Sequence, residues 1–100
     1  MIIKVKTSLD SFDPAFVKVA VDIKKQILSA GCELHFDCAE ELAKDGSNHQ
    51  NLWGANIYPK DRNIEFTSLI NIKSAENRSM EIERPEIKKV VEDIIKKLLI

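Results

Sequence analysis

Hydrophobic and polar positions along the chain alternate with two different periods. Ile3, Val5 and Thr7 alternate with Lys4 and Lys6, a period of two that predicts a short strand over 2–7 with one face buried. From residue 13 the period changes. Asp13-Pro14 supplies a cap and a first-turn proline, and Phe16, Val17, Ala20, Ile23, Ile27 and Leu28 recur at helical spacing. Lys18, Asp22, Lys25 and Ser29 fill the opposite face, and Gly31 suits the stop, so a helix is predicted between them. Cys32, Leu34 and Phe36 then alternate with Glu33 and His35 like a strand fragment. Asp37 and Glu40 form a pair resembling a capping box, which predicts a short second helix from about Cys38 to Lys44, closed by the turn residues Asp45-Gly46-Ser47-Asn48.

The second half carries a hairpin signal. Asn51 to Tyr58 and Asn63 to Ile72 read as strands joined by Pro59-Lys60-Asp61-Arg62. On the second of these, Ile64, Phe66, Ser68, Ile70 and Ile72 share one face, and Glu65, Thr67, Leu69 and Asn71 the other. Residues 73–84 are polar and irregular, with Met80-Glu81-Ile82-Glu83 able to add a short strand. Pro85 opens a last helix whose apolar stripe is Ile87, Val90, Val91, Ile94 and Leu98. The predicted fold class is α+β: a small, mainly antiparallel sheet with helices on one face, in the order β-α-α-β-β-α. Its 100 residues suit a single domain, 1–100.

Composition narrows the function classes. Fifteen basic residues against sixteen acidic ones give a formal charge of −1, which argues against a nucleic-acid partner. No apolar run reaches the length of a signal-peptide core or of a membrane span, so no membrane role is expected. Cys32 and Cys38 are the only cysteines. In a helix their Cα atoms would lie about 9 Å apart at 1.5 Å rise per residue, too far to bridge, so they are expected to be reduced in a cytoplasmic protein. Three glycines leave no phosphate-cradling loop, and no cofactor is expected.

Three clusters could carry chemistry. Cys32-x-x-His35-x-x-Cys38, with Asp37, Glu41 and His49 nearby, offers zinc ligand types, but without paired cysteine knuckles; the cysteines read instead as small buried hydrophobes, and no metal is expected. His35 and Asp37 would project from one face of an extended segment and could act as a catalytic acid/base pair. Asn71, Asn77, Arg78 and Ser79 lie in the irregular stretch and could hold an anion, with arginine gripping a carboxylate or phosphate. Trp53 reads as core or as an interface anchor, with core favoured, and in an enzyme it would stand with Asn56 as a pocket wall; Gly54 in mid-strand points to a bulge or a close backbone approach.

The stretches Glu33-Leu34-His35-Phe36-Asp37, Leu52 to Pro59, Leu69-Ile70-Asn71-Ile72 and Asn77 to Ile82 together resemble a family of small prokaryotic proteins, domain of unknown function 5674. The chain departs from that pattern where Lys73-Ser74 replaces Arg-Pro, Glu76 replaces Gly, and Arg84 replaces Asp before the last helix. The resemblance supplies no reaction. It implies that His35, Asp37, Trp53, Asn56, Asn71, Asn77 and Arg78 belong in one test. The leading expectation is a non-catalytic binding or regulatory protein that self-associates through Leu98-Leu99-Ile100 or a sheet edge, or takes another protein or a small-molecule anion. The alternative is a small hydrolase, metal-assisted or with His35 as acid/base, acting on a phosphate- or carboxylate-bearing substrate.

Overall fold

A computed structural model describes all 100 residues. Five strands, Ile2–Ile3 (β1), Val17–Asp22 (β2), Ile27–Ala30 (β3), Leu52–Tyr58 (β4) and Asn63–Glu65 (β5), form one sheet in the order β1-β3-β2-β4-β5. Every neighbouring pair is antiparallel. Two α-helices, His35–Lys44 (α1) and Pro85–Leu99 (α2), complete an α+β fold of the expected class.

The segment predicted as the first helix is instead the β2–β3 hairpin. Val17, Val19 and Val21 alternate with Lys18, Ala20 and Asp22, but both faces of β2 are covered. A strand buried on both sides reads as a near-continuous apolar run, which overlays a helical stripe equally well. Asp22 decides the outcome locally. Its Oδ1 accepts from the backbone N–H of Lys24 and of Lys25, both at 2.9 Å, and folds the chain back. Gln26 then takes φ 58° to close the turn, and the Ser47 hydroxyl donates to the other Asp22 oxygen at 2.6 Å.

The helices also differ from expectation by lying on opposite faces of the sheet. Val17, Val19, Val21, Leu28, Trp53, Ala55 and Ile57 pack with Val91, Ile94, Ile95, Leu98 and Leu99 of α2 in the larger core. Ala20, Ile27 and Leu52 pack with Cys38, Ala39 and Leu42 of α1 in the smaller one. Period-two alternation along β2 and β4 supplies both cores from the same strands. Leu98 and Leu99 are buried at 3% exposure each, so the apolar chain end covers the core. The reason for expecting self-association there is removed.

The two cysteines form a disulfide, contrary to the expected free thiols. Cys32 precedes α1 in non-helical backbone, so only Cys38 lies on the helix and the Cα atoms are 5.7 Å apart. The cytoplasmic expectation rested on reduced cysteines and loses that support. No helix is long and apolar enough to cross a membrane. Closing so short a loop stabilises the fold by about 2 kcal/mol in the chain-entropy model. Cys32→Ser, or dithiothreitol, should therefore lower the melting midpoint by ~10 °C. An unchanged midpoint in a thermal melt would show that the bridge constrains nothing.

At the start of α2, Arg84 occupies the N-cap and makes no side-chain cap bond. Arg84→Asp should stabilise the protein by about 1 kcal/mol, read as a raised urea midpoint. Its exposed contact with Glu76, at 3.4 Å, is a small loss beside that gain.

Candidate functional site

Beyond β5 the chain leaves the sheet and folds across β4. Only Asn56, Ile57 and Tyr58 of β4 pair with β5. At Gly54, the Asn71 side chain takes the place of a strand: its Oδ1 accepts from Gly54 N–H at 2.7 Å and its Nδ2 donates to Gly54 O at 3.0 Å. The same Nδ2 donates to Met80 O at 3.0 Å. Asn77 fastens the next turn. Its Nδ2 donates to the carbonyls of Asn71, Ser79 and Glu81, and its Oδ1 accepts from Glu83 N–H. Both asparagines are buried, with side chains fully engaged in bonds to backbone. Arg78 is exposed and lines neither cavity described below, while the Ser79 hydroxyl donates to Glu81 O. Of the four residues expected to hold an anion, Asn71, Asn77 and Ser79 thus meet within the loop and bond to its backbone, and Arg78 is exposed.

This loop creates a cleft against the start of α1. The cleft has a volume of 430 Å³ and is lined by the polar side chains of His35, Asn56, Glu65 and Thr67 together with the apolar ones of Leu34, Phe36, Leu69 and Met80. His35 is the first residue of α1, so Asp37, two positions on in a helix, turns to another face and does not line the cleft. Asp37 sits instead in the first turn, near the positive end of the helix dipole. The carboxylate acting on His35 is Glu65. Trp53 is buried in the larger core, where its Nε1 has no partner, and walls no cavity. Asn56 does line the cleft.

The protonation of His35 follows from its surroundings. Its Nε2 lies 3.0 Å from Ala55 O, an acceptor only, so Nε2 carries the proton and Nδ1 of the neutral ring is an acceptor. Burial lowers its pKa below the ordinary 6.5, and the nearby Lys18 ammonium adds to this; the bond to Ala55, the Asn56 side chain and the Glu65 carboxylate oppose it. With the folded pKa depressed, the unfolded chain takes up the proton first as pH falls. The contribution of His35 to stability is thus fully present above about 6.5 and declines as the pH drops through and below that value. Replacing His35 with Gln should flatten that part of the stability–pH curve in urea titrations. An unaltered slope would show that His35 is not its source.

Asn56 is held in one orientation. Its Nδ2 donates to Glu65 Oε1 at 2.9 Å and to Thr67 O at 3.4 Å, and a flipped amide would set oxygen against two acceptors. Its Oδ1, buried and near the His35 ring, has no donor at hydrogen-bond geometry. Lys18 reaches away, donating to Glu33 O at 2.7 Å.

A second cavity, of 640 Å³, lies on the other side of Phe36 and Ile70, which it shares with the cleft. Lys73 enters it half-buried, with Nζ 3.1 Å from His49 O and 4.8 Å from the centre of the Trp53 ring. Burial lowers its pKa, against the attraction of Glu76. Across both cavities stand Leu34, Phe36, Leu69, Ile72 and Met80, five of the nine large apolar side chains that are exposed. No three His, Cys, Asp or Glu side chains converge as a metal site, and the disulfide consumes both thiols of the zinc triplet.

A family model described as a protein of unknown function (DUF5674) matches residues 2–98. The chain belongs to that family. No curated protein and no solved structure matches it. Within the family's span, Leu34, His35 and Phe36, Leu69 and Ile70, and Met80, separate in sequence, meet at the cleft. Reading the residues alone missed Glu65, Thr67 and Leu69. Leu69 carried the usable signal, being the one large apolar residue on the otherwise polar face of its predicted strand.

Proposed function

We propose that this protein works by binding, with the cleft between the start of α1 and the loop over β4 as its site. The observation that carries this reading is the gathering of four exposed large apolar side chains, Leu34, Phe36, Leu69 and Met80, in the lining of one cleft that also holds a few polar groups. Binding pockets combine an apolar lining with a few placed polar groups in this way, in volumes that include 430 Å³. Leu69, 70% exposed, would otherwise stand in water beside Phe36 at 58%. The hydrolase alternative retains His35 but has Glu65, not Asp37, beside it, and no arginine in the lining.

Amide shift mapping with a panel of small amphiphiles tests the reading. Shifts should concentrate at Leu34, Phe36, Thr67, Leu69 and Met80, and the ligand should be recovered unchanged. Shifts elsewhere, or chemical conversion of the ligand, would overturn it. The exposure of Leu69 also favours a second copy of the chain as occupant of this face, a regulatory self-association placed here rather than at the chain end. A monomeric mass in sedimentation equilibrium at millimolar protein would remove that second reading.

A further inference from the structure

The polar lining of the cleft holds more unspent acceptors than donors, the buried Ser68 hydroxyl being the neutral donor that remains. Asn56 Oδ1 is buried, fixed in orientation by the two bonds of its amide nitrogen, and unpartnered. A buried acceptor without a donor is costly, and such positions ask for a group that is absent. Glu65 lies beside it. Its Oε1 accepts from Asn56 Nδ2 and, at 3.4 Å, from the Tyr58 hydroxyl, but no basic side chain pairs with the carboxylate. His35 has spent its one ring proton on Ala55 O, which leaves Nδ1 of the neutral ring an acceptor. The one cation lining the cleft, Lys18, is held at Glu33 O and stacks 5.7 Å from the Phe16 ring. Leu34, Phe36, Leu69 and Met80 belong to the same lining.

We propose that the cleft takes an organic cation, an ammonium group on an apolar stem, with Asn56 Oδ1 and the Glu65 carboxylate receiving its N–H groups and Leu69 and Met80 covering the stem. An ammonium has three donors and no acceptor, which complements these acceptors. A charge-assisted bond to Glu65 is stronger than a neutral one. An anion would meet Glu65 and the unpartnered Asn56 oxygen with no free cation opposite, the reverse of the anion site expected from the sequence. A free alkylamine and a lysine side chain of another protein both supply such a stem; the ammonium chemistry is the same.

The assignment rests on the binding reading above, and its test separates the two. Calorimetry and amide shift mapping on the full chain would compare n-hexylammonium, hexanoate and 1-hexanol at pH 7.5. Hexylammonium should bind at least about tenfold more tightly than either other ligand, a difference of ~1.4 kcal/mol. Glu65→Gln, at an exposed position, should reduce its affinity by about tenfold and leave hexanol unaffected. Met80→Ser should weaken hexylammonium and hexanol alike. An N-acetyl-lysine amide binding as tightly as hexylammonium would point to a protein side chain as the natural ligand, and weaker binding to a free amine. Equal binding of hexanol or hexanoate, or no effect of Glu65→Gln, overturns the cation assignment and leaves the binding reading standing. No shift at the cleft with any of the three overturns both.

Discussion

Replacing Asn77 with alanine should destabilise the protein by roughly 4 kcal/mol, the largest effect expected of any single substitution outside the apolar cores. The carbonyls of Asn71 and Ser79 and the N–H of Glu83 lose their Asn77 partner together, and Glu81 O keeps only the Ser79 hydroxyl. Each group left buried and unsatisfied costs ~1–3 kcal/mol, and water will reach some of them once the side chain is gone. The midpoint of thermal unfolding should fall by ~15–30 °C. Asn77→Asp is a sharper probe. It preserves the shape but sets a carboxylate against three carbonyl oxygens, so it should be at least as damaging at neutral pH. Part of the loss should return in acid, where the protonated carboxyl regains one donor. A loss below 1 kcal/mol for Asn77→Ala, measured by urea unfolding, would mean that the loop hydrates without penalty and is not held by this side chain.

Gly54→Ala is the second large effect. A Cβ at this position would lie 2.5 Å from Ser68 Cβ, 2.6 Å from its Oγ and 3.0 Å from Ile70 Cγ1. Ser68 is buried and its segment cannot retreat without loosening the Asn71 bonds to Gly54. Overpacking costs ~1–3 kcal/mol by itself, and a strained Asn71 amide adds to it, for about 3 kcal/mol in all. Because Ser68 and Ile70 line the cleft, ligand binding should suffer along with stability. Full stability together with unchanged binding would show that the loop has more room than its contacts indicate.

The sequence was most legible where burial is one-sided. The stripe of α2 has a wet opposite face, and the Pro85 start and the period of Ile87, Val91, Ile94 and Leu98 place it correctly, although Val90 of the predicted stripe is exposed and Ile95 and Leu99 are buried in its stead. The turn at 59–62 and the start of the hairpin were equally readable from Pro59 and Asp61, although β5 ends at Glu65 rather than continuing to Ile72. Where both faces are covered the period loses its meaning, and β2 with β3 passed for a helix. Glycine at 54 in mid-strand pointed to a bulge or a close approach; the structure has the close approach, by the side chains of Ser68 and Ile70, and nothing local named those partners. The site was legible in part. His35 and Asn56 do meet, whereas Asp37 was placed by assuming extended backbone that α1 replaces. Asn71 and Asn77 stood out as polar residues in an irregular stretch, and their amides do carry a specific role, but toward their own backbone. Telling that role from ligand binding requires knowing which carbonyls lie within 3 Å, and those come from residues up to 17 positions away.

The Asn71 amide has a consequence for how the protein behaves in a crowded solution. β4 is long and β5 covers only three of its residues, so half of an inner strand's margin would face outward with its peptide groups free. Such a margin recruits strands from other chains and seeds ordered aggregates. Here a side chain imitates the missing peptide at Gly54, and the loop it holds blocks the approach of anything strand-like. Loosening of that loop, long before global unfolding, would expose an adhesive seam between molecules. Loss of either asparagine should therefore shorten the protein's shelf life in concentrated solution by more than the fall in folding free energy alone would suggest.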